Sequence, residues 1–193
     1  ALLALAVLPV ACSDDGPGPG PAASAAAYDD DGRFQGATPP AGPRWNVLLV
    51  VIDTLRADAL SLDPQGAGSM PKLAARARLG TTFEQACAPS SWTLPSMTSL
   101  LTSRLPSEHG VLGEDGRDQG LASLPTWAEI LGATRGYETQ AWVAGPWSAG
   151  AGRMLEGFES VIARASLQSA PVLVTHWSRS RARERPFFLL LHS

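Results

Sequence analysis

The chain has 193 residues, 45% of them hydrophobic and 17% charged, with a formal net charge of −3. That is enough apolar material for one domain of ordinary size, which argues against an intrinsically disordered chain, and the mildly acidic balance argues against nucleic acid as a partner. Only Cys12 and Cys87 are present, too few for a cysteine metal cluster and a poor basis for a disulfide framework.

The first stretch, Ala1 to Cys12, is apolar, short and closed by small residues, as in the h-region and cleavage site of an export signal. It is too short to span a bilayer, and without an initiating Met or a positive n-region it reads as the later part of a longer signal peptide. Leu8 to Cys12 resembles a bacterial lipoprotein signal, in which the Cys is lipidated and becomes the mature N-terminus; Pro9 stands where that pattern usually has Leu. Residues 13–44 are rich in Gly, Pro, Ala and Asp and nearly free of large apolar side chains, so they are expected to form a flexible tether. Residues 1–12 and 13–44 together predict export to the periplasm or cell envelope, with a lipid anchor to a membrane at Cys12.

At Trp45 the composition changes. Trp45 to Asp53 is a continuous aliphatic run, the pattern of a strand buried on both faces of a parallel sheet, and the domain is expected to occupy residues 45–193. Pro71 to Leu79 has helical spacing and stops at Gly80; Thr81 to Ala88 reads as a short strand with Phe83 inward and Cys87 as a small buried residue. Thr93 then caps a helix from about Leu94 to Ser103, with Pro95 in its first turn and Leu100 and Leu101 facing the core. After a loop at Gly110 to Gly120, a third helix spans Leu124 to Arg135, capped by Ser123 and ended by Gly136. Tyr137 to Ala144 is a strand, Gly145 to Gly157 an irregular loop, and a helix lies within Val161 to Arg183, with Arg179 to Arg185 as a solvated end. Pro186 to His192 is a second wholly apolar strand. Alternating helices and strands predict an α/β layered sandwich with a largely parallel central sheet flanked by helices. A core strand reaching the last residues leaves that sheet unfinished, so the sequence is expected to be the N-terminal part of a larger domain.

Two side chains carry chemistry. Asp53 sits at the C-terminal end of a strand, where open α/β sheets place their functional groups, and Thr93 sits at the positive end of a helix, where an anion is favoured. A carboxylate that holds a divalent cation, and a hydroxyl acidified by it, are parts for phosphoryl or sulfuryl transfer. On residues alone, a capping hydroxyl is the commoner role for such a Thr. Arg56 and Asp58 read as an ion pair bracing the loop after the first domain strand, and Trp92 as a packing residue. His109 is either a ligand or a hydrogen-bonded structural group, and His192 has a weak claim to a role near the site.

Beyond these, the chain resembles the N-terminal half of a sulfatase-like hydrolase of the alkaline phosphatase superfamily. The resemblance is carried by Asn46 to Asp58, Met70-Pro-Lys-Leu73, Ala88 to Ser96 with Leu100-Leu-Thr102, Pro106-Ser-Glu-His-Gly110, Leu131 to Tyr137, Gly157-Phe158 and Pro186 to His192. Several blocks in one order are far more specific than any one of them. The resemblance implies an alkaline phosphatase-like fold, a catalytic divalent metal and a nucleophile at a helix N-terminus. By residue, it makes Asp53 the first metal-binding carboxylate and Thr93 the nucleophile beside the metal.

In sulfatases proper the nucleophile is a Cys or Ser, converted to formylglycine in a Cys/Ser-x-Pro-Ser-Arg pattern. This chain has Thr93-Leu-Pro-Ser-Met97, which is no substrate for that conversion and lacks the Arg, and it has Thr54 where many sulfatases carry a second Asp. An unmodified Thr is similar instead to the nucleophile of envelope phosphoethanolamine and glycerol-phosphate transferases. The resemblance therefore implies a metal-dependent hydrolase of sulfate or phosphate esters, acting on a small-molecule, glycan or lipid ester. The alternatives are a transferase of the latter type, or a catalytically dead, truncated envelope lipoprotein. The metal is Ca, Mg, Mn or Zn. The remaining ligands would follow Ser193, so the fragment alone is expected to be inactive.

Overall fold

A computed structural model describes residues 3–10, 44–56, 59–60, 70–83, 86–113, 124–145, 152–163, 168–181 and 184–193. Its centre is a five-stranded sheet built from β1 (Leu3–Val10), β2 (Asn46–Ile52), β3 (Glu138–Val143), β4 (Ser160–Ala163) and β5 (Phe187–His192), in the order β1-β2-β5-β3-β4. β2, β5, β3 and β4 run parallel, and β1 pairs antiparallel along the outer edge of β2. The sheet is thus largely parallel, with helices between its strands: an α/β fold. The stretch read as part of a signal peptide lies with its backbone in this sheet as β1, while Cys12 and the tether to residue 43 fall outside the described residues.

The aliphatic run of β5 makes it the central strand, with Phe188, Leu189 and Leu190 buried although they point to alternating faces. β2 differs from expectation, since only Leu49 and Val51 are buried and its other face is half-buried. Leu49, Val51, Ala141, Val143, Phe188 and Leu190 all project to one side, where they meet Leu94, Met97 and Leu101 of a helix at Thr93–Thr102. That is the main core.

The helices are α1 (Pro71–Ala77), α2 (Thr93–Thr102), α3 (Pro106–His109), α4 (Trp127–Arg135) and α5 (Ala170–Ser180). α4 begins later than expected because Thr126 caps it. The Thr126 hydroxyl accepts from the Glu129 N–H at 3.2 Å and the Glu129 carboxylate accepts from the Thr126 N–H at 2.7 Å, a reciprocal cap that leaves Pro125 ahead of the helix. Ser123 lies outside the described residues. The expected strand at Thr81 to Ala88 does not form among the residues described there: Phe83 is 77% exposed and Cys87 is exposed. Among the described residues the sheet has no strand from this segment, and strand geometry is favoured only where a ladder satisfies the backbone. β4 was not expected. It is a short edge strand whose Val161, Ile162 and Ala163 are exposed, so no alternation marked it.

The chain between α4 and β4 passes very close to α4. Gly157 holds φ +83°, and a Cβ there would stand 2.4 Å from Glu129 Cγ and 2.6 Å from the Glu129 backbone nitrogen. Its carbonyl accepts from the buried Thr139 hydroxyl at 2.8 Å, and the adjoining Phe158 stacks on Phe188 with centroids 5.5 Å apart. Gly157→Ala is expected to cost about 3 kcal/mol or more, through backbone strain and a clash with no flexible partner, read as a lower urea midpoint of the full-length protein.

The opposite sheet face carries α5, and here the basic run proves to be more than a solvated helix end. Arg181 forms an ion pair with Glu138 at 3.2 Å, with both side chains largely buried, and lies over the rings of Trp177 and Phe187. Trp177 in turn packs edge-on against Phe187 and Trp142 and donates its indole N–H to Glu138 at 2.8 Å. Arg185 bonds the carbonyls of Gly136 and Tyr137 and pairs with Glu159, joining the entries of β3 and β4. Arg183, the other arginine of the run between these two, lies outside the described residues. Among the described residues no helix is long and apolar enough to cross a membrane.

Candidate active site

The C-terminal ends of β2, β5 and β3 are knitted into one rim. Asp53 N–H donates to the Ser193 carbonyl at 2.8 Å, Ser193 N–H to Val51 at 3.1 Å, and Ala144 N–H to His192 at 2.9 Å. The alternation that buries Val51 also turns Asp53 to the α2 side of the sheet, as it does His192, which pairs in register with Val51. Thr54 follows at φ +56°, an uncommon conformation for a β-branched residue, and its N–H donates to Asp53 Oδ1 at 2.8 Å. The carboxylate is therefore fixed by its own turn.

α2 comes to this rim end-on. Trp92 is its cap and Thr93 its first residue, one position from the expected boundary. The Thr93 hydroxyl does not cap the helix. It donates to Asp53 Oδ2 at 2.7 Å, across forty residues of sequence. The N-terminal turn is held by Ser90, whose hydroxyl accepts from Trp92 N–H at 3.1 Å and whose carbonyl accepts from the buried Ser96 hydroxyl at 2.8 Å. Helix geometry leaves the N–H groups of Thr93 and Leu94 without intrahelical acceptors, and Pro95 has none, so the mouth of α2 presents amide dipoles beside the two oxygens.

Of the other residues singled out from sequence, Met97 is fully buried in the core, so its position offers nothing to an anion at the helix mouth. Trp92 does not pack as expected; it is 49% exposed, directly before Thr93. Arg56 is exposed and Asp58 lies outside the described residues, as does any brace between the two. His192 is buried on the same face as Asp53, and burial pushes it below the ordinary histidine range while the Asp53 carboxylate and the Ala144 backbone pull it back up. Sequence reasoning ranked it low, since a lone His closing an apolar strand carries no local motif.

His109 is completely buried under α2. Val111 N–H donates to its Nδ1 at 3.1 Å, and its Nε2 lies 2.9 Å from Ser99 Oγ. With both ring nitrogens so engaged it is not placed to bind a metal, which decides between the two readings in favour of the hydrogen-bonded one. Burial lowers its pKa from 6.5, opposed by the Pro95 carbonyl and the Glu108 carboxylate. A base with a depressed folded-state pKa contributes stability above 6.5, and that contribution is lost as pH falls from 6.5 through the folded value. The full-length protein is expected to lose urea resistance on acidification from pH about 7.5 to 5, and His109→Gln to flatten that slope.

Asp53 Oδ2 and Thr93 Oγ1, both hard oxygens at 2.7 Å, suit a small divalent cation bound to both. Among the described residues no group of three or more His, Cys, Asp or Glu is gathered for a metal. The largely parallel α/β sheet thus sets a hydroxyl at a helix mouth against a strand-end carboxylate. A family model of sulfatases matches residues 45–193, and the chain belongs to the sulfatase family, a hydrolase family whose members generally use a divalent metal. No curated protein matches the chain.

Proposed function

We propose that this protein cleaves sulfate or phosphate esters of the cell envelope with the unmodified hydroxyl of Thr93 as nucleophile. The observation that carries the reading is the 2.7 Å hydrogen bond from Thr93 to Asp53 at the mouth of α2. A capping Thr would turn its oxygen to the helix amides; this one is turned outward to a strand-end carboxylate.

Asp53 and Thr93 would hold the divalent cation, with further ligands from residues outside the described set. When bound, the cation supplies positive charge that acidifies the Thr93 hydroxyl and screens the anionic ester. Asp53 orients the hydroxyl and keeps its proton on the side away from the substrate. The open amides of Thr93 and Leu94 receive the oxygens of the ester group, where negative charge develops. Thr93 Oγ1 bonds to sulfur or phosphorus as the bond to the ester oxygen breaks, and the proton lost by Thr93 is balanced by the one gained by the departing alcohol. Water then cleaves the Thr93 ester and restores the hydroxyl; a second alcohol in place of water would make the same chemistry a transfer. Thr at position 93 and the burial of Met97 support this scheme over formylglycine chemistry.

The test is turnover of p-nitrophenyl sulfate, p-nitrophenyl phosphate and a phosphate diester by the full-length protein, before and after chelation and with Ca, Mg, Mn or Zn restored. The reading requires at least one ester to be cleaved only with metal. Turnover indifferent to chelation, or none on any ester with any metal, would remove it.

A further inference from the structure

The position of Thr93 against Asp53 depends on how deep α2 sits and how it is rotated, and one contact reaches the first turns of α2 from outside its own approach. It comes from Pro106-Ser-Glu-His-Gly110. Pro106 opens the four-residue α3, the Glu108 carboxylate takes the Leu105 N–H at 2.8 Å, and Gly110 closes the turn at φ +72° with its N–H on the Pro106 carbonyl at 2.9 Å. The reversal brings Val111 N–H onto His109 Nδ1 at 3.1 Å. An amide N–H has only a proton to offer, so Nδ1 presents its lone pair and the neutral ring carries its proton on Nε2. Nε2 therefore donates, and it faces Ser99 Oγ at 2.9 Å. Pro95 is two residues beyond Thr93, and Ser99 is one turn further on.

We infer that His109 is a positioning residue for the nucleophile: an Nε2-protonated imidazole that holds the first two turns of α2 at one depth and rotation, and so aims the Thr93 hydroxyl at Asp53. The inference rests on the reading of Thr93 as nucleophile. The ring touches neither substrate nor metal. It is fully buried, and the one charged neighbour on its own turn, Glu108, directs its carboxylate to Leu105 N–H and Arg104. Ser99 is a meaningful anchor here because it lies on the helix that begins at Thr93, where core packing of Leu94 and Met97 fixes one side of the helix and His109 engages another.

The experiment compares His109→Gln, His109→Asn and Ser99→Ala in the full-length protein, well below each variant's Tm. Gln places an amide N–H near the position of Nε2, Asn reaches only the Nδ1 position, and Ser99→Ala removes one acceptor without touching the ring. A misplaced nucleophile costs rate more than binding, so His109→Asn is expected to lower kcat by about 100-fold with KM changed less than about 3-fold, and His109→Gln to recover most of that loss. Ser99→Ala is expected to lower kcat by about 3- to 10-fold, the buried ring itself remaining in place. Two readouts do not depend on turnover: the nitrogen chemical shifts of His109 should report the Nε2–H tautomer, and amide exchange of residues 96 to 99 should quicken in His109→Asn. Wild-type kcat in folded His109→Asn, equal losses in the Gln and Asn variants, or an Nδ1–H tautomer would overturn the inference. If Thr93→Ala retained full activity, the nucleophile reading would fall, whereas unchanged exchange in His109→Asn would remove the clamp itself.

Discussion

Thr93→Ala in the full-length protein is expected to lower kcat/KM for any ester it cleaves by at least about 10⁴-fold, leaving only what the amide dipoles and bound cation contribute to attack by water. The expectation is this large because α2 delivers one hydroxyl to the rim, and the Thr93 hydroxyl is already bonded to the strand-end carboxylate at 2.7 Å. Thr93→Ser keeps the oxygen and is expected to retain activity within about 10- to 100-fold, the loss reflecting the freer χ1 of Ser. The substitution itself should be benign for the fold. Thr93 is only partly buried, its hydroxyl does not cap α2, and the N-terminal turn is held by Ser90. Matching urea midpoints for the wild type and Thr93→Ala would therefore assign the loss to chemistry, and equal rates in the two would remove Thr93 from its role.

Asp53→Asn is expected to separate metal binding from folding. The amide keeps the size of the side chain, and the main-chain bond to Ser193 remains; lost are the negative charge and one of the two acceptor oxygens, one of which takes Thr93 and the other Thr54. A cation at about 100 times its Kd stabilises a folded protein by about 2.7 kcal/mol, so the wild type should show a metal-dependent rise in Tm. In Asp53→Asn that rise should shrink to near nothing, with metal affinity lower by at least about 100-fold and kcat by about 10³-fold. Calorimetric titration with Ca, Mg, Mn and Zn gives the affinity for each. Unchanged affinity for every metal would show that the carboxylate is not a ligand.

The parts of this molecule legible in its sequence are those fixed by strong local patterns. Val47 to Ile52 and Phe187 to Leu191 are unbroken apolar runs, and they form two paired strands of the sheet. The start of α2 was marked by Thr93 and Pro95, and its end by Ser103, which adopts φ +57°. Features that depend on tertiary partners were not legible. Thr81 to Ala88 has strand composition but forms no strand among its described residues, β4 is an exposed edge without alternation, and the cap of α4 falls on Thr126 because Glu129 can answer it.

The site divides in the same way. Asp53 and Thr93 could each be singled out by position, one at a strand end and one at a helix mouth, yet their contact spans forty residues and no local pattern encodes it. His109 had the opposite difficulty. As a lone His before a Gly it carries little signal, and its meaning comes from Val111 N–H on one nitrogen and α2 on the other. Arg181 and Arg185 looked like solvated charge because their partners, Glu138, Glu159 and the Tyr137 carbonyl, lie about twenty-six to forty-eight residues away.

The most direct measurement is the identity of the covalent intermediate. The full-length metal-loaded protein, quenched in acid during turnover of its best ester and digested, is expected to carry a phosphoryl or sulfuryl group on the peptide spanning Ala88 to Ser103, with fragmentation placing it on Thr93 and with no formylglycine at that position. The same group found on another residue, or single turnovers that release the alcohol and the free sulfate or phosphate together with no protein adduct at any time, would contradict the account of Thr93 as the nucleophile.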